Sequence, residues 1–278
     1  MTPTLEGVAL KIERAYEHFV SLVGEPVRSV YTDVYALTAK PDPDGLGYRF
    51  YIGELKELDS DRWAVVLGDF FFNLRSALDQ LVYQLHVVQF SGMVPDDAER
   101  DSAFPIKSAK PVTKNGVFVP TTKWNQIRRL GNERALIERL QPYNARDDAD
   151  ASIREIGWRL ASLDRLNNID KHRRLHVVRS AIDGAAHPIF SPEVGFGTDA
   201  HFGPVESNTQ VDHWRYLSRP PRLAEEISAH CAFVDISLDE PGEQDSVIMK
   251  MQALYNGVVD VVELLATPFP AIRLPERL

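Results

Sequence analysis

The sequence predicts an α+β fold: a bundle of about four longer helices, with an N-terminal β-hairpin and a small antiparallel sheet inserted before the last helix. Three observations predict it. Apolar residues recur at three- and four-residue spacing in four long stretches, the signature of a helix with one buried face. Two stretches rich in Tyr, Val, Phe and Ile flank the turn cluster Lys40-Pro41-Asp42-Pro43-Asp44-Gly45. From about 175 to 240 the texture changes to short, alternating, Gly- and Pro-broken segments.

Taken in order, Thr4–Val23 is the first helix, with Leu5, Val8, Ile12, Ala15/Tyr16, Phe19 and Leu22 as its stripe and Thr4 as its cap. Val27–Thr38 and Tyr48–Leu55 form the hairpin. Asp61–Val88 is the longest helix, with Trp63, Leu67, Phe70/Phe71, Leu74, Ala77/Leu78, Leu81, Leu85 and Val88 on a broad apolar arc. A proline-rich connection follows, in which Phe104-Pro105-Ile106 tucks onto the core. Lys123–Leu130 and Asn132–Leu140 read as short helices, the second ended by Gln141-Pro142-Tyr143. A helix starting near Ala151 carries Ile153, Ile156, Leu160 and Leu163. About four strands follow, with Leu175–Ile182 alternating weakly and Ile227–Ser237 alternating throughout, and Ser246–Thr267 is the last helix. The chain is expected to be a single domain, 1–278, with a helical core (1–23, 60–90, 122–175, 245–267) and a β-rich insertion at about 175–240.

Composition bounds the function. A net charge of −9 argues against coating nucleic acid by bulk charge, though not against a local phosphate site. Cys231 is the sole cysteine, so no intrachain disulfide or thiolate metal cluster can form, and a reducing, cytoplasmic home is expected. Met1–Glu13 lacks a basic segment followed by an apolar run, and no apolar run approaches the ~20 residues of a membrane span. No secretory leader, membrane association or cofactor is expected.

The densest group of chemically able side chains is Arg165–His176. Trp158, Ala161, Arg165, Asn168 and His172 recur at three and four residues, so a helix reaching His172 stacks Arg165, Asn168 and His172 on one face. Arginine offers a phosphate a fork of donors, and histidine moves a proton near neutral pH. Lys171, Arg173 and Arg174 add phosphate-binding charge, against Asp170 alone. The plainer reading is a cationic helix C-terminus, favoured by the macrodipole by about 0.3–1 kcal/mol per charge. His172 and His176 have the i,i+4 spacing of a metal pair, but the surrounding cations argue against a metal. A second polar stripe, Asp69, Asn73, Ser76 and Gln80, could face the first and orient His172, or could be a solvated face. Arg75 and Asp79 form an i,i+4 pair beside it. Asn167 falls on the apolar stripe and needs a partner inside, which Asn73 or Ser76 could supply.

Gly68-Asp69, Asn73–Asp79, Phe104-Pro105-Ile106, Gln141-Pro142-Tyr143 and Asn168–Arg173 together resemble a group of uncharacterised bacterial proteins, a likeness covering most of the first 175 residues and implying no reaction. Arg165, six intervening residues and His172 resemble the Arg-x(4–6)-His motif of HEPN ribonucleases. That resemblance implies an all-α bundle, often a homodimer, cleaving RNA without a metal. Arg165 would stabilise the phosphate and His172 would transfer a proton as the 2′-oxygen attacks. Leu166 stands where a polar residue usually follows the motif arginine, and the β-rich region has no counterpart in a minimal bundle of that kind. The other expectation is a non-enzymatic binding protein in which Asn73–Asp79 and Asn168–Arg173 form a buried polar lock between two helices.

Overall fold

Apolar residues three and four apart become buried helix faces at every long stretch that shows the pattern. The computed structural model describes residues 1–24, 34–53, 60–109, 127–172, 176–183, 196–198, 208–216, 227–237, 247–271 and 273–278. Helix α1 is Glu6–Val23, and Leu5, Val8, Ile12, Ala15, Phe19 and Leu22 are buried along it. Thr4 serves its start, its hydroxyl accepting the Glu6 N–H at 3.2 Å. Strands β1 (Val34–Pro41) and β2 (Gly47–Ile52) form the hairpin. The turn is shorter than its composition predicts, because Lys40 and Pro41 stay in β1. Gly45, at φ +69°, takes the left-handed position the turn requires.

Helix α2, Ser60–Gln89, is 30 residues long and buries the whole predicted arc from Trp63 to Leu85. Short α3 (Asp96–Asp101) interrupts the connection expected to be loop. Residues 127–129 form a turn; the rest of the short helix expected at Lys123–Leu130 lies outside the described residues. Then come α4 (Asn132–Arg139) and α5 (Pro142–Ala145). Pro142 ends α4 as predicted but also opens α5, since proline is tolerated at a first helical position. Helix α6 is Ala151–His172. Strands β3 (His176–Asp183), β4 (Phe196–Thr198), β5 (Gln210–Tyr216) and β6 (Ile227–Ser237) precede α7 (Val247–Leu265).

The hairpin and the later strands, expected as two features, form one antiparallel sheet of order β3-β6-β1-β2-β5-β4. Its centre is the hairpin: β1 pairs with β6 and β2 with β5. Contacts divide the chain into two compact units. The helical unit comprises Met1–Phe19, Val66–Arg174 and Met251–Leu278; the sheet unit comprises Val20–Val65 and Leu175–Lys250. The hairpin, within Val20–Val65, thus groups with the later strands.

In the helical unit, Val8 and Ile12 of α1, Leu67 to Leu81 of α2, Leu160 and Leu163 of α6 and Leu254 to Val262 of α7 make the core. Each such side chain contributes roughly 1.5–3 kcal/mol. The proline-containing tail is tied along α7. Asn256 accepts the Leu278 N–H at 3.1 Å and donates to its carbonyl at 3.0 Å, while Arg277 bridges Asp260 and Glu263 at 2.5 and 2.6 Å. Among the described residues no helix is long and apolar enough to cross a membrane.

Candidate functional site

Helix α6 sorts its residues by side. Ile153, Ile156, Gly157, Leu160, Leu163, Leu166 and Asn167 are buried. At 3.6 residues per turn, Trp158, Ala161, Arg165, Asn168 and His172 fall on the opposite side. There Trp158 is 46% exposed, Asn168 and His172 are exposed, and Arg165 is half-buried. Because α6 extends to His172, the predicted stripe stands complete along one helix. Asn168 donates its amide to Asp164 at 3.1 Å, and exposed Lys171 adds charge nearby. Arg173 and Arg174 lie outside the described residues. His176 opens β3, so the helical i,i+4 pair with His172 does not form. Among the described residues no three His, Cys, Asp or Glu side chains converge as a metal cradle.

Asp170 is on the other side of α6. Its carboxylate lies against Gly68 of α2, where the Cβ of any other residue would overlap it. Burial, and then the neighbouring Asp69 carboxylate, raise the Asp170 pKa against the opposing pull of Lys171. Asp69 also acts on His18 of α1. Burial first, then Arg14, hold the His18 imidazole below its ordinary pKa, opposed by Asp69 and Glu17. Asn73 is buried and donates to the Asp69 carbonyl at 2.7 Å, while Lys11 donates to the Asn73 oxygen at 3.3 Å. The α2 stripe expected to orient His172 therefore serves other residues. Asp69 is coupled to His18 and Asp170, and Asn73 is held by α1 and its own helix, because α6 turns Asp170 rather than His172 toward α2. Lys11 and His18 were not legible as neighbours of this stripe, nor was the role of Gly68; the seven-residue spacing of Lys11 and His18 on one side of α1 was the available signal.

The remaining motif residues build a clasp. Arg75 and Asp79 pair at 3.1 Å. Arg75 donates to the Phe104 carbonyl at 2.5 Å, and the Phe104 N–H donates to Asp79 at 2.8 Å. One ion pair thus satisfies both backbone groups of a residue whose side chain is fully buried. Next along the chain, fully buried Gln141 donates to the Pro105 carbonyl at 2.8 Å and to the Ile137 carbonyl at 3.0 Å. The Tyr143 N–H reaches the Lys107 carbonyl at 3.3 Å. Phe104-Pro105-Ile106 tucks in as predicted, held between α2 and the start of α5. Gly157 of α6 lets α5 approach, since a Cβ there would overlap that of Ala145.

This corrects the expected lock. Among the described residues Asn73–Asp79 does carry one, but it closes on Phe104 through Arg75 and Asp79, Gln141 holds the adjoining Pro105 in turn, and Asn168, being exposed, is no part of it. Asn167 is buried, as its place on the apolar stripe requires, but the described partners of Asn73 are Asp69 and Lys11. Ser76 and Gln80 are half-buried on the same helix. Compared with known proteins, the chain matches no family model, no curated protein and no solved structure.

Proposed function

We propose that the accessible face of α6 binds phosphate and that the protein is a HEPN-like, metal-independent ribonuclease of the bacterial cytoplasm. The observation that carries this reading is the extension of α6 to His172, which stacks Arg165, Asn168 and His172 on the side turned away from the buried residues. A phosphate can reach them there. The guanidinium of Arg165 neutralises the charge that builds on the phosphoryl oxygens, and Asn168 holds a further oxygen. The 2′-oxygen attacks phosphorus, a 2′-O–P bond forms and the bond to the leaving 5′-oxygen breaks. His172 carries one of the two protons, removed from the 2′-hydroxyl or supplied to the leaving oxygen, and water carries the other.

The test is cleavage of mixed cellular RNA in EDTA by the wild type and His172→Ala. The reading expects cleavage by the wild type and a loss of about 100-fold or more in the variant. Full cleavage by His172→Ala overturns it. The same reading expects a homodimer, so light scattering should report about twice the 31.4 kDa chain mass.

A second reading has its own observation, the Arg75–Asp79 clasp. On it the protein is a non-enzymatic binding or structural protein, its polar helix residues serving packing, and no RNA is cut by either form.

A further inference from the structure

The sheet unit carries a second group of charges that the α6 reading does not use. The strand register places Lys40 of β1 opposite Arg49 of β2, and Arg49 opposite His213 of β5. The adjoining row holds Thr38, Tyr51 and, after a register shift, Gln210, while Arg215 sits opposite Gly47. These side chains share one face. Asp42, at the end of the hairpin strand, receives Arg49 Nε at 3.0 Å and approaches His213 Nε2 at 2.8 Å; Arg215 reaches Asp44 at 2.6 Å. Lys40 lies 4.2 Å from the centre of the Tyr51 ring. The opposite face is the packed one, with Phe50 and Ile52 buried.

A core does not need this arrangement. Like charges directly opposite on neighbouring strands destabilise a sheet, and Lys40 opposite Arg49 is such a pair. Asp42 is almost wholly buried, at 2% side-chain exposure, and acts from beneath. It fixes Arg49 through Nε, leaving the two terminal amino groups of Arg49 outside that bond. The neighbouring His213 contact is the main reason the Asp42 carboxyl is held below its ordinary pKa, so it stays charged and keeps the cations in place. Arg49 and Arg215 remain about half exposed, at 46% and 52%, and Lys40 is exposed. Three permanent cations stand over two carboxylates, a local positive excess in a chain of net charge −9. Neighbouring strands set Lys40 and Arg49 about 4.8 Å apart in a row that His213 continues, with Arg215 two residues further along β5.

We infer that this face of the sheet, built on Lys40, Arg49, His213 and Arg215 with Tyr51 beside them, binds the phosphates of a single-stranded nucleic acid. Successive phosphates meet the row of cations and relieve its repulsion, and the aromatic ring borders the track, as on other single-strand platforms. The inference goes beyond the α6 reading and does not depend on it. The experiment is fluorescence anisotropy of the full chain with an oligodeoxythymidylate of about ten nucleotides, within the span one small domain covers. That probe lacks the 2′-hydroxyl and so survives whatever α6 does. Binding should weaken with salt. Lys40→Gln, which leaves the Asp42 contacts intact, and Arg49→Gln should each lower affinity by about tenfold. Each should also flatten the slope of log affinity against log salt by about 0.7. Binding equal to wild type in both variants overturns the inference, whatever the RNA-cleavage assay reports. So does absence of binding by the wild type, or competition by inorganic phosphate alone at concentrations equal to those of oligonucleotide phosphate.

Discussion

Helix α2 carries an i,i+4 ion pair and helix α6 a polar stripe of three- and four-residue spacing, and the two have opposite fates. On α2, Arg75 and Asp79 are consumed by the chain itself, closing over the N–H and carbonyl of Phe104. On α6, Asn168 and His172 stay exposed and Trp158 stands beside them in solvent. Spacing says which residues share a side of a helix. Whether that side becomes a clasp or a surface depends on what the rest of the chain lays against it. A buried segment with bare backbone groups demands donors and acceptors, and α2 supplies them. Packing thus falls to the α2 pair while the α6 face stays accessible, although the spacing alone could have been read either way on both helices.

The largest expected difference comes from breaking the clasp. Asp79→Ala leaves the Phe104 N–H and the half-buried Arg75 guanidinium without their partner, and should cost about 2–4 kcal/mol. His172→Ala should stay within about 0.5 kcal/mol of wild type, as exposed substitutions do. Chemical denaturation of the two variants side by side measures the gap, and equal stabilities would erase the distinction. Gln141→Ala comes next. It strands the Pro105 carbonyl in a fully buried position, at about 1–3 kcal/mol by the same measurement.

The smallest effect is one of pH. A carboxyl whose pKa is raised in the folded state binds its proton more tightly there than in the unfolded chain. Asp170 therefore favours folding most at acid pH, and that contribution falls as pH rises from the ordinary aspartate value through the raised one. Asp170→Asn should accordingly melt higher than wild type at neutral pH, with the advantage shrinking as the buffer is acidified. A constant difference across pH would mean that Asp170 is not strained against Asp69 and Gly68.

Much of this was legible in the residues. The Leu and Ile spacing gave α6, the off-pattern Asn167 was correctly placed inside, and Phe104-Pro105-Ile106 was recognisable as a buried segment. The alternation of Ile227–Ser237 predicted β6. What the sequence hid were partners. Nothing in Arg75 or Asp79 points to a residue 25 or more positions away, and nothing in Asp170 points to Gly68. The pairing of the hairpin with β5 and β6 spans more than 150 residues, and local pattern carries no register over that distance. The Asp42 cluster left a faint trace: an acid in the turn, with cations on the strands it closes.

The helical unit is assembled from three separate stretches, and α7 follows the entire sheet segment in the chain. Tyr255 of α7 meets Tyr16 of α1, and Gly257 admits the side chain of Arg159 from α6. During synthesis, the 72 residues 175–246 must pass before α7 begins at Val247. At ordinary translation rates that is an interval of about 4–15 s. For those seconds the apolar sides of α1, α2 and α6 await their last neighbour. The order of the segments thus imposes a delay on the closing of the helical core that the finished molecule no longer displays.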